Sequence, residues 1–394
     1  MFFQQSFTVL SQTIIPLIAP AALPSLGIPA AYVGVYVSIA AVMKTIVNAG
    51  CGNFIRRFGG LRVSQAGMVF ILIGLTAAAS GIVWAFIFTA LCIALGTAAG
   101  TPASSHILHR YSPPKYAPVV FSAKQTAVPV GLAFGGLAIP FLVSLFGWQG
   151  ALITVGIMCA VFALVLQPLR SELDRDRDPN QKLSLGDIKS VFLFVLRHQG
   201  LRRLSITIFA FVGLQTTYQT YMVLFLTNSL EYSYAEAGGV FATAMAIAIP
   251  TRILWGYIAS AWLNPSIVLG GLAITMAAGS AATGLYTTEW TSWQILGVAT
   301  VVTSTALGWQ GVLLSEIARL APPGQVGPAT GGVLAFSSVG QVVLPLVYSG
   351  LLALTGSYSY GFMAVAIPAL AVGVMLFVGG VEGAQSTGKA RPSA

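Results

Sequence analysis

The run Arg170-Ser-Glu-Leu-Asp-Arg-Asp-Arg-Asp178 packs seven ionic side chains into nine positions of a 394-residue chain in which charged residues are 7% and apolar residues 56%. It opens a segment, Arg170 to Arg203, that holds 13 of the 29 charged residues. Charge this concentrated, with almost uninterrupted apolar sequence on both sides, reads as a solvated linker between two hydrophobic halves. A mean hydropathy of +0.84 excludes a soluble exterior, because a water-facing surface of this composition could not be covered with polar groups. Lipid is the implied solvent, and the bilayer the first expected partner.

Outward from the linker, spans of about 20 residues are punctuated by Gly, Pro and charge. The first set is expected near 5–26, 31–50, 63–82, 84–108, 118–143 and 149–168. The second set is expected near 203–227, 235–257, 265–286, 292–317, 328–353 and 359–380. The predicted fold class is therefore an all-α membrane protein of twelve transmembrane helices in two six-helix bundles. Residues 1–169 form the first bundle, 170–202 the charged linker, 203–381 the second bundle and 382–394 a tail. The first stretch, Met1 to Leu26, lacks a cationic start and a cleavage site and is interrupted by Pro16, Pro20 and Pro24, so it is expected to stay as a span.

An even number of spans puts both ends on one side and assigns each loop to one face. Arg56, Arg57, Arg62, Arg110, Lys115, the linker cations, Arg319, Lys389 and Arg391 then share a side, while the opposite loops carry Glu231, Glu236 and Glu289. The positive-inside rule places that basic side, and both termini, in the cytoplasm of a cytoplasmic (inner) membrane. Trp84, Trp148, Trp262, Trp290 and Trp293 lie near span ends and are expected in interfacial belts. The +9 net charge is thus orientation, not a nucleic-acid face, since the cations sit between apolar segments.

The halves repeat. A shift of 209 residues aligns Arg110 with Arg319, Pro113-Pro114 with Pro322-Pro323, Gly131 with Gly340 and Gly147 with Gly356. A shift of 204 aligns Gly52 with Gly256. Parallel repeats of this kind place substrate at their interface, near the bilayer midplane.

These features resemble the major facilitator superfamily over nearly the whole chain, and the resemblance implies that fold and a secondary transporter working by alternating access. The loop Gly52-Asn-Phe-Ile-Arg-Arg-Phe-Gly59-Gly-Leu-Arg62 is similar to the signature between spans two and three, except that Arg56 stands where an acid is expected. Gly131-Leu-Ala-Phe-Gly135-Gly136 is similar to the glycine motif of proton-coupled drug exporters, with Leu132 in place of its proline. A drug or metabolite exporter is one alternative, and a non-transporting receptor or scaffold another. Independently of the family, Gly131, Gly135, Gly136, Gly52 and Gly256 suit close helix crossings.

Ionic side chains inside spans are costly and mark pathways or partners. Three are cationic: Lys44, Lys124 and Arg252. Pro250-Thr-Arg-Ile-Leu-Trp-Gly256 resembles span eight of organic-anion carriers of the oxalate:formate, monocarboxylate and cyanate-permease-like kinds, in which this arginine engages the substrate carboxylate. A guanidinium fork matches a carboxylate, yet snorkelling to the headgroups accounts equally for a cation near a span end. No acid lies mid-membrane to cancel the three charges. Glu316 and Arg319 are expected as an i,i+3 pair at a span end or gate, with proton carriage by Glu316 as the alternative.

Gln215, Tyr218 and Gln219 share a helical face at i, i+3, i+4, and Trp309, Gln310 and Gln12 extend the polar content of the central spans. Together these predict a substrate site for a small anionic solute, a carboxylate before others, moved with protons or against a counter-transported anion. Interhelical hydrogen bonding explains the same residues without a ligand. The chain carries no nucleotide loop, no His-Glu-x-x-His and no Cys or His cluster, so neither an enzyme, a metal site nor a cofactor is expected. Cys51, Cys92 and Cys159 are read as packing residues.

Overall fold

In the computed structural model, which describes residues 1–111, 120, 123–181, 193, 195–322 and 326–379, the chain is helical, with no strand among the described residues. The turn bearing Pro113, Pro114 and Lys115, together with Pro323, most of the Leu183–Arg197 segment, the tail from 382 and the side chains of Cys51 and His109, lies outside the described residues.

The first group of helices is α1 (Phe2–Leu26), α2 (Tyr32–Phe58), α3 (Gly60–Ala79), α4 (Ala85–Ala98), α5 (Gly100–Tyr111) and α6 (Ala127–Val165). A short helix α7 (Arg170–Leu173) begins the linker. The second group is α8 (Gln199–Ser229), α9 (Tyr234–Ala261), α10 (Pro265–Thr283), α11 (Ser292–Gly308), α12 (Gln310–Leu320), α13 (Val326–Thr355) and α14 (Tyr358–Gly379).

Nine helices among the described residues are long and apolar enough to cross a membrane, or ten when the two parts of α2 are joined. One of them, residues Ala123–Leu173, runs for 51 residues, more than twice the length that a bilayer core requires. It is broken at Gly147, whose φ of 69° and ψ of 171° lie outside the helical region. The repeat partner Gly356 also has positive φ, 68°, and separates α13 from α14. Only glycine adopts this backbone without a Cβ penalty, which is why the 209-residue shift aligns two glycines. The helix α8 is 31 residues long but more polar, and it begins at Gln199, four residues earlier than its sequence suggests.

Local chemistry fixes the starts of several helices. Ser233 and Glu236 form a reciprocal capping box on α9, as do Thr291 and Gln294 on α11, while Asn264 caps α10 ahead of Pro265. Pro16, Pro20 and Pro24 are accommodated inside α1, which packs among its neighbours with Leu10, Ile14, Leu17 and Ile18 all buried.

In the first group α1 packs on α6, α3 on α4 and α6, and α2 on α4; in the second α8 packs on α13, α10 on α14, and α9 and α10 on α11. The seams between the groups are α2 with α13, α6 with α9, and α1 with α8. Outward-facing residues are large and apolar, including Leu137 and Phe141 on α6 and Val374 and Val378 on α14, as a lipid-facing surface requires. Trp84, Trp262 and Trp293 are exposed at helix ends. Trp148 is a correction: it is buried, and its Nε1 donates to Ser25 Oγ at 3.0 Å.

Small residues set the seams. A Cβ on Gly136 would lie 2.8 Å from the Gly238 carbonyl and 3.0 Å from Ala242 Cβ, so α6 and α9 cross in backbone contact. Within the first group, a Cβ on Gly131 would lie 2.8 Å from the Ser6 carbonyl of α1, and one on Gly135 would lie 3.0 Å from Leu10 and Leu17. Gly52 and Gly256 differ from expectation, since a Cβ on either would meet nothing within 4 Å. Neither sits at a close helix crossing.

Candidate functional site

A cavity of about 550 Å³ lies between the two groups of helices, walled by both. From the first group it takes Gln5, Gln12 and Thr13 of α1, Tyr36 and Lys44 of α2, Thr97 of α4 and Thr101 of α5. From the second come Gln215, Thr216, Gln219 and Thr220 of α8, Trp309 and Gln310 at the α11–α12 junction, and Thr330, Ser337 and Gln341 of α13.

Helical geometry selects these faces. Along α8 the wall positions Ile208, Val212, Gln215 and Gln219 recur at three- and four-residue steps, one stripe of a 3.6-residue helix. Tyr218 sits roughly 60° around the helix from Gln215 at 3.6 residues per turn, on the side away from Thr216 and Thr220. It is therefore a correction to the expected trio. Its ring is buried and packs edge-on to Phe362 with centroids 5.7 Å apart.

Among the described residues that line the cavity, Lys44 is the one of formal charge. Its Nζ donates to Gln12 Oε1 at 3.1 Å, which joins α2 to α1 and holds the ammonium on the wall. Trp309 closes another side, with its Nε1 donating to the Ala306 carbonyl at 2.7 Å and its ring T-stacked on Phe211 at 5.7 Å. The Tyr36 hydroxyl and Gln215 Oε1 are buried with no hydrogen-bond partner among the described residues.

The other two cations sit outside that lining. Arg252 donates from Nη1 to the Gln125 carbonyl at 3.3 Å and from Nη2 to Gln310 Oε1, both acceptors belonging to wall residues. It thus ties α9 across the seam to the residues ahead of α6, at the rim of the cavity. Lys124 is 4% exposed and is absent from the cavity wall. The sequence grouped the three cations because it carried depth but not azimuth.

Glu316 is buried on α12 and holds Arg319 with Nη2 to Oε2 at 2.8 Å and Nε to Oε1 at 3.1 Å. Neither lines the cavity. Thr303, among the polar residues of α11, donates to the Ala244 carbonyl of α9 at 2.8 Å, an interhelical bond.

At the end of the cavity near the α1–α2 turn, the groups are sealed by a hydrogen-bonded knot that sequence reasoning missed. Gly34 N donates to the Tyr221 hydroxyl at 3.0 Å, that hydroxyl and Ser349 Oγ lie 2.8 Å apart, and Ser349 Oγ donates to the Ala31 carbonyl at 2.8 Å. Ser38 Oγ adds a bond to the Val342 carbonyl at 2.9 Å, and the Tyr234 hydroxyl one to the Leu17 carbonyl at 2.6 Å. Tyr221 is stacked on Tyr348 at 3.9 Å. The available signal was Gly34, where any side chain would collide with Ser349 and Tyr221.

The linker organises the opposite end. Asp174 is buried, and its carboxylate accepts from Leu61 N at 2.8 Å and Arg62 N at 3.0 Å, capping α3 where the dipole and free N–H groups favour an anion. It also fills the space beside Gly59, whose φ is 95°. Asp176 binds His106 at 2.7 Å and Arg110 at 3.0 Å. Burial pushes the Asp176 carboxyl up, but the His106 hydrogen bond, a backbone bond and the charges of His106 and Arg110 outweigh it and hold it below its ordinary value.

A family model described as Major Facilitator Superfamily matches residues 1–315. The nitrite extrusion protein of Bacillus subtilis (strain 168) is 25% identical over 354 residues, 86% of this chain and 82% of that protein. The 4-hydroxybenzoate transporter PcaK of Pseudomonas aeruginosa is 29% identical over 150 residues, 38% of this chain and 34% of its own length. Among solved structures, a POT family transporter in complex with 5-aminolevulinic acid aligns with a TM-score of 0.80 at 12% identity, covering 96% of this chain and 94% of that one. A bacterial homologue of the human lysosomal transporter Spinster, in an inward-facing and occupied conformation, aligns with a TM-score of 0.72 at 15% identity over the same shares. At these identities the structural likeness is one of fold.

Proposed function

This chain belongs to the Major Facilitator Superfamily and is a secondary transporter, not an enzyme, and on that premise we propose that it moves a small organic anion, a carboxylate before others, by alternating access. The observation that carries this reading is the charge of the cavity: among the described residues Lys44 stands in a wall of amides, hydroxyls and apolar groups, with no carboxylate in that lining to cancel it. An ammonium facing such a cavity attracts an anion, and the glutamine and threonine groups supply hydrogen bonds to orient it. Nitrite and 4-hydroxybenzoate, named in two relatives, are anions of this size.

The wider arrangement follows the same reading. Twelve crossings result when α8 is counted and the long run is divided at Gly147. Residues 1–169 and 203–381 are then the two bundles, 170–202 the cytoplasmic linker and 382–394 a cytoplasmic tail, with both termini on the cytoplasmic side of the cytoplasmic membrane. Lys44, Gln12, Gln215, Gln219, Trp309 and Gln310 hold the substrate. Arg252 is a rim contact, and Gly136 permits the rocking contact between α6 and α9, while Gly131 and Gly135 hold α6 close to α1 within the first bundle.

Binding of nitrite, nitrate, formate, lactate, pyruvate and 4-hydroxybenzoate to the purified protein, measured by thermal stabilisation and by uptake into proteoliposomes, tests the proposal. At least one anion is expected to bind, and Lys44→Gln to weaken it at least tenfold while leaving the melting temperature of the empty protein near that of the parent. Equal affinity in the parent and Lys44→Gln would sink the site assignment.

A further inference from the structure

The charged run that opens the linker alternates in sign along the sequence, and the fold gives its two signs different tasks. Asp174 spends its carboxylate on Leu61 N and Arg62 N, and Asp176 on His106 and Arg110. Asp178 accepts from Asn180 N through Oδ1, while its own N–H donates to the Arg56 carbonyl at 2.8 Å. The Tyr111 hydroxyl adds a bond to the Glu172 carbonyl at 3.0 Å. These contacts strap residues 172–178 to the ends of α2, α3 and α5.

The arginines of the run are gathered instead. Arg170, Arg175 and Arg177 line a second cavity of about 550 Å³ together with Gln167, Ser171 and Asp174. Three guanidinium groups there stand against one carboxylate, a surplus of two positive charges. That carboxylate is already engaged by the start of α3, and the Arg170 Nε lies 4.0 Å from it. Among the described residues the side chains of Arg175 and Arg177 have no hydrogen bond or ion pair. Gln167 accepts from Gln65 Nε2 through its Oε1 at 3.0 Å, which leaves its amide N–H groups as donors beside the Ser171 hydroxyl.

Planar guanidinium forks with neutral donors between them match the oxygens of a phosphate group. The position selects the source of that phosphate. The cavity lies just past the end of α6, where Leu164, Val165 and Leu169 are 72%, 64% and 48% exposed on the stretch that leads into Arg170. An apolar outer surface that gives way to arginine marks the level of the lipid headgroups. We propose that Arg170, Arg175 and Arg177 bind the phosphate of an anionic phospholipid whose acyl chains lie along Leu164, Val165 and Leu169. The site shares no residue with the central cavity, so it stands or falls independently of the transported anion.

The experiment titrates the full chain, in a neutral detergent, with dioleoylphosphatidylglycerol in mixed micelles. Dioleoylphosphatidylcholine, inorganic phosphate and glycerol 3-phosphate form parallel arms, and binding is read from the melting temperature and from hydrogen exchange of residues 167–177. Phosphatidylglycerol is expected to raise the melting temperature and protect that segment. Phosphatidylcholine should do neither, because its headgroup carries no net charge, and the soluble phosphates should bind more weakly because they lack the acyl contact. Arg175→Gln/Arg177→Gln removes two exposed cations and should weaken the lipid at least tenfold, at roughly fivefold per cation beside anionic headgroups. Arg56→Gln/Arg202→Gln removes the same charge outside the cavity and should change the affinity by less than about threefold.

Phosphatidylglycerol that binds no better than phosphatidylcholine would overturn the inference. So would inorganic phosphate or glycerol 3-phosphate that binds as tightly as the lipid, since the ligand would then be a soluble phosphate. Both comparisons are read on the parent protein and stay decisive if a variant fails to fold. Parental affinity in Arg175→Gln/Arg177→Gln would also refute the site, as would an equal loss in the two double variants, because the attraction would then belong to the basic residues at large and not to this cavity.

Discussion

Tyr221→Phe removes one oxygen from the seal and little else, since the ring stacked on Tyr348 at 3.9 Å is kept. In the parent that hydroxyl accepts from Gly34 N at 3.0 Å and lies 2.8 Å from Ser349 Oγ. The Ser349 to Ala31 bond survives the substitution, but the Gly34 N–H, in a buried residue, is left without an acceptor. An orphaned buried donor costs about 1–3 kcal/mol. That cost applies only while the seal is closed, because water satisfies Gly34 once the halves separate. The closed-to-open ratio at this end should therefore fall by a factor of about 5 to 150, at 1.4 kcal/mol per tenfold. The Ser38–Val342 and Tyr234–Leu17 bonds remain and keep the protein from opening fully. A reporter cysteine at position 31, with Cys51, Cys92 and Cys159 replaced, reads the open population through its rate of modification by a membrane-impermeant maleimide. That rate should rise by the same factor until opening is no longer the minority event. An unchanged rate, with helix content and melting temperature retained, would show that the hydroxyl does not hold the seal.

The remaining predictions concern the seam and the linker. Gly136→Val should force α6 away from the Gly238 carbonyl, which a Cβ would approach to 2.8 Å; transport velocity is expected to fall more than tenfold with little change in anion affinity, measured by paired flux and binding assays. Asp174→Ala removes the cap accepting from Leu61 N and Arg62 N and should cost about 1–2 kcal/mol, read as a lower melting temperature, whereas Asp178→Ala should not. Because the folded-state pKa of Asp176 is depressed, its clamp on His106 and Arg110 stabilises above the ordinary carboxylate range and is lost as pH falls through the lowered value. Hydrogen-exchange protection in Gly100–Tyr111, after correction for the intrinsic pH dependence of amide exchange, should fall on acidification in the parent, and Asp176→Asn should abolish that dependence. Corrected parental protection that is flat across this pH window would contradict the clamp.

Much of this molecule is written in one dimension. Hydropathy and the central charge run identify a membrane protein in two halves, since bilayer thickness converts composition directly into span length. The aligned Gly147 and Gly356 predict two matching breaks because only one residue type adopts positive φ freely. Gly131, Gly135 and Gly136 were legible as crossings for a similar reason: absence of a side chain has few uses inside a membrane. Gly52 and Gly256 show the limit, since a glycine beside open space has the same letter as one in a backbone contact.

What the tertiary structure alone decides is azimuth and partner. Helical periodicity placed Gln215, Tyr218 and Gln219 together, but only packing against Phe362 reveals that Tyr218 turns into the second group. Depth along a span made Lys44, Lys124 and Arg252 look alike, yet packing puts Lys44 on the cavity wall, Arg252 on two of its wall residues and Lys124 outside the lining. The Tyr221–Gly34–Ser349 seal and the Asp174 cap join residues more than a hundred positions apart. No local period encodes such pairs, because the contact exists only after separate helices have packed.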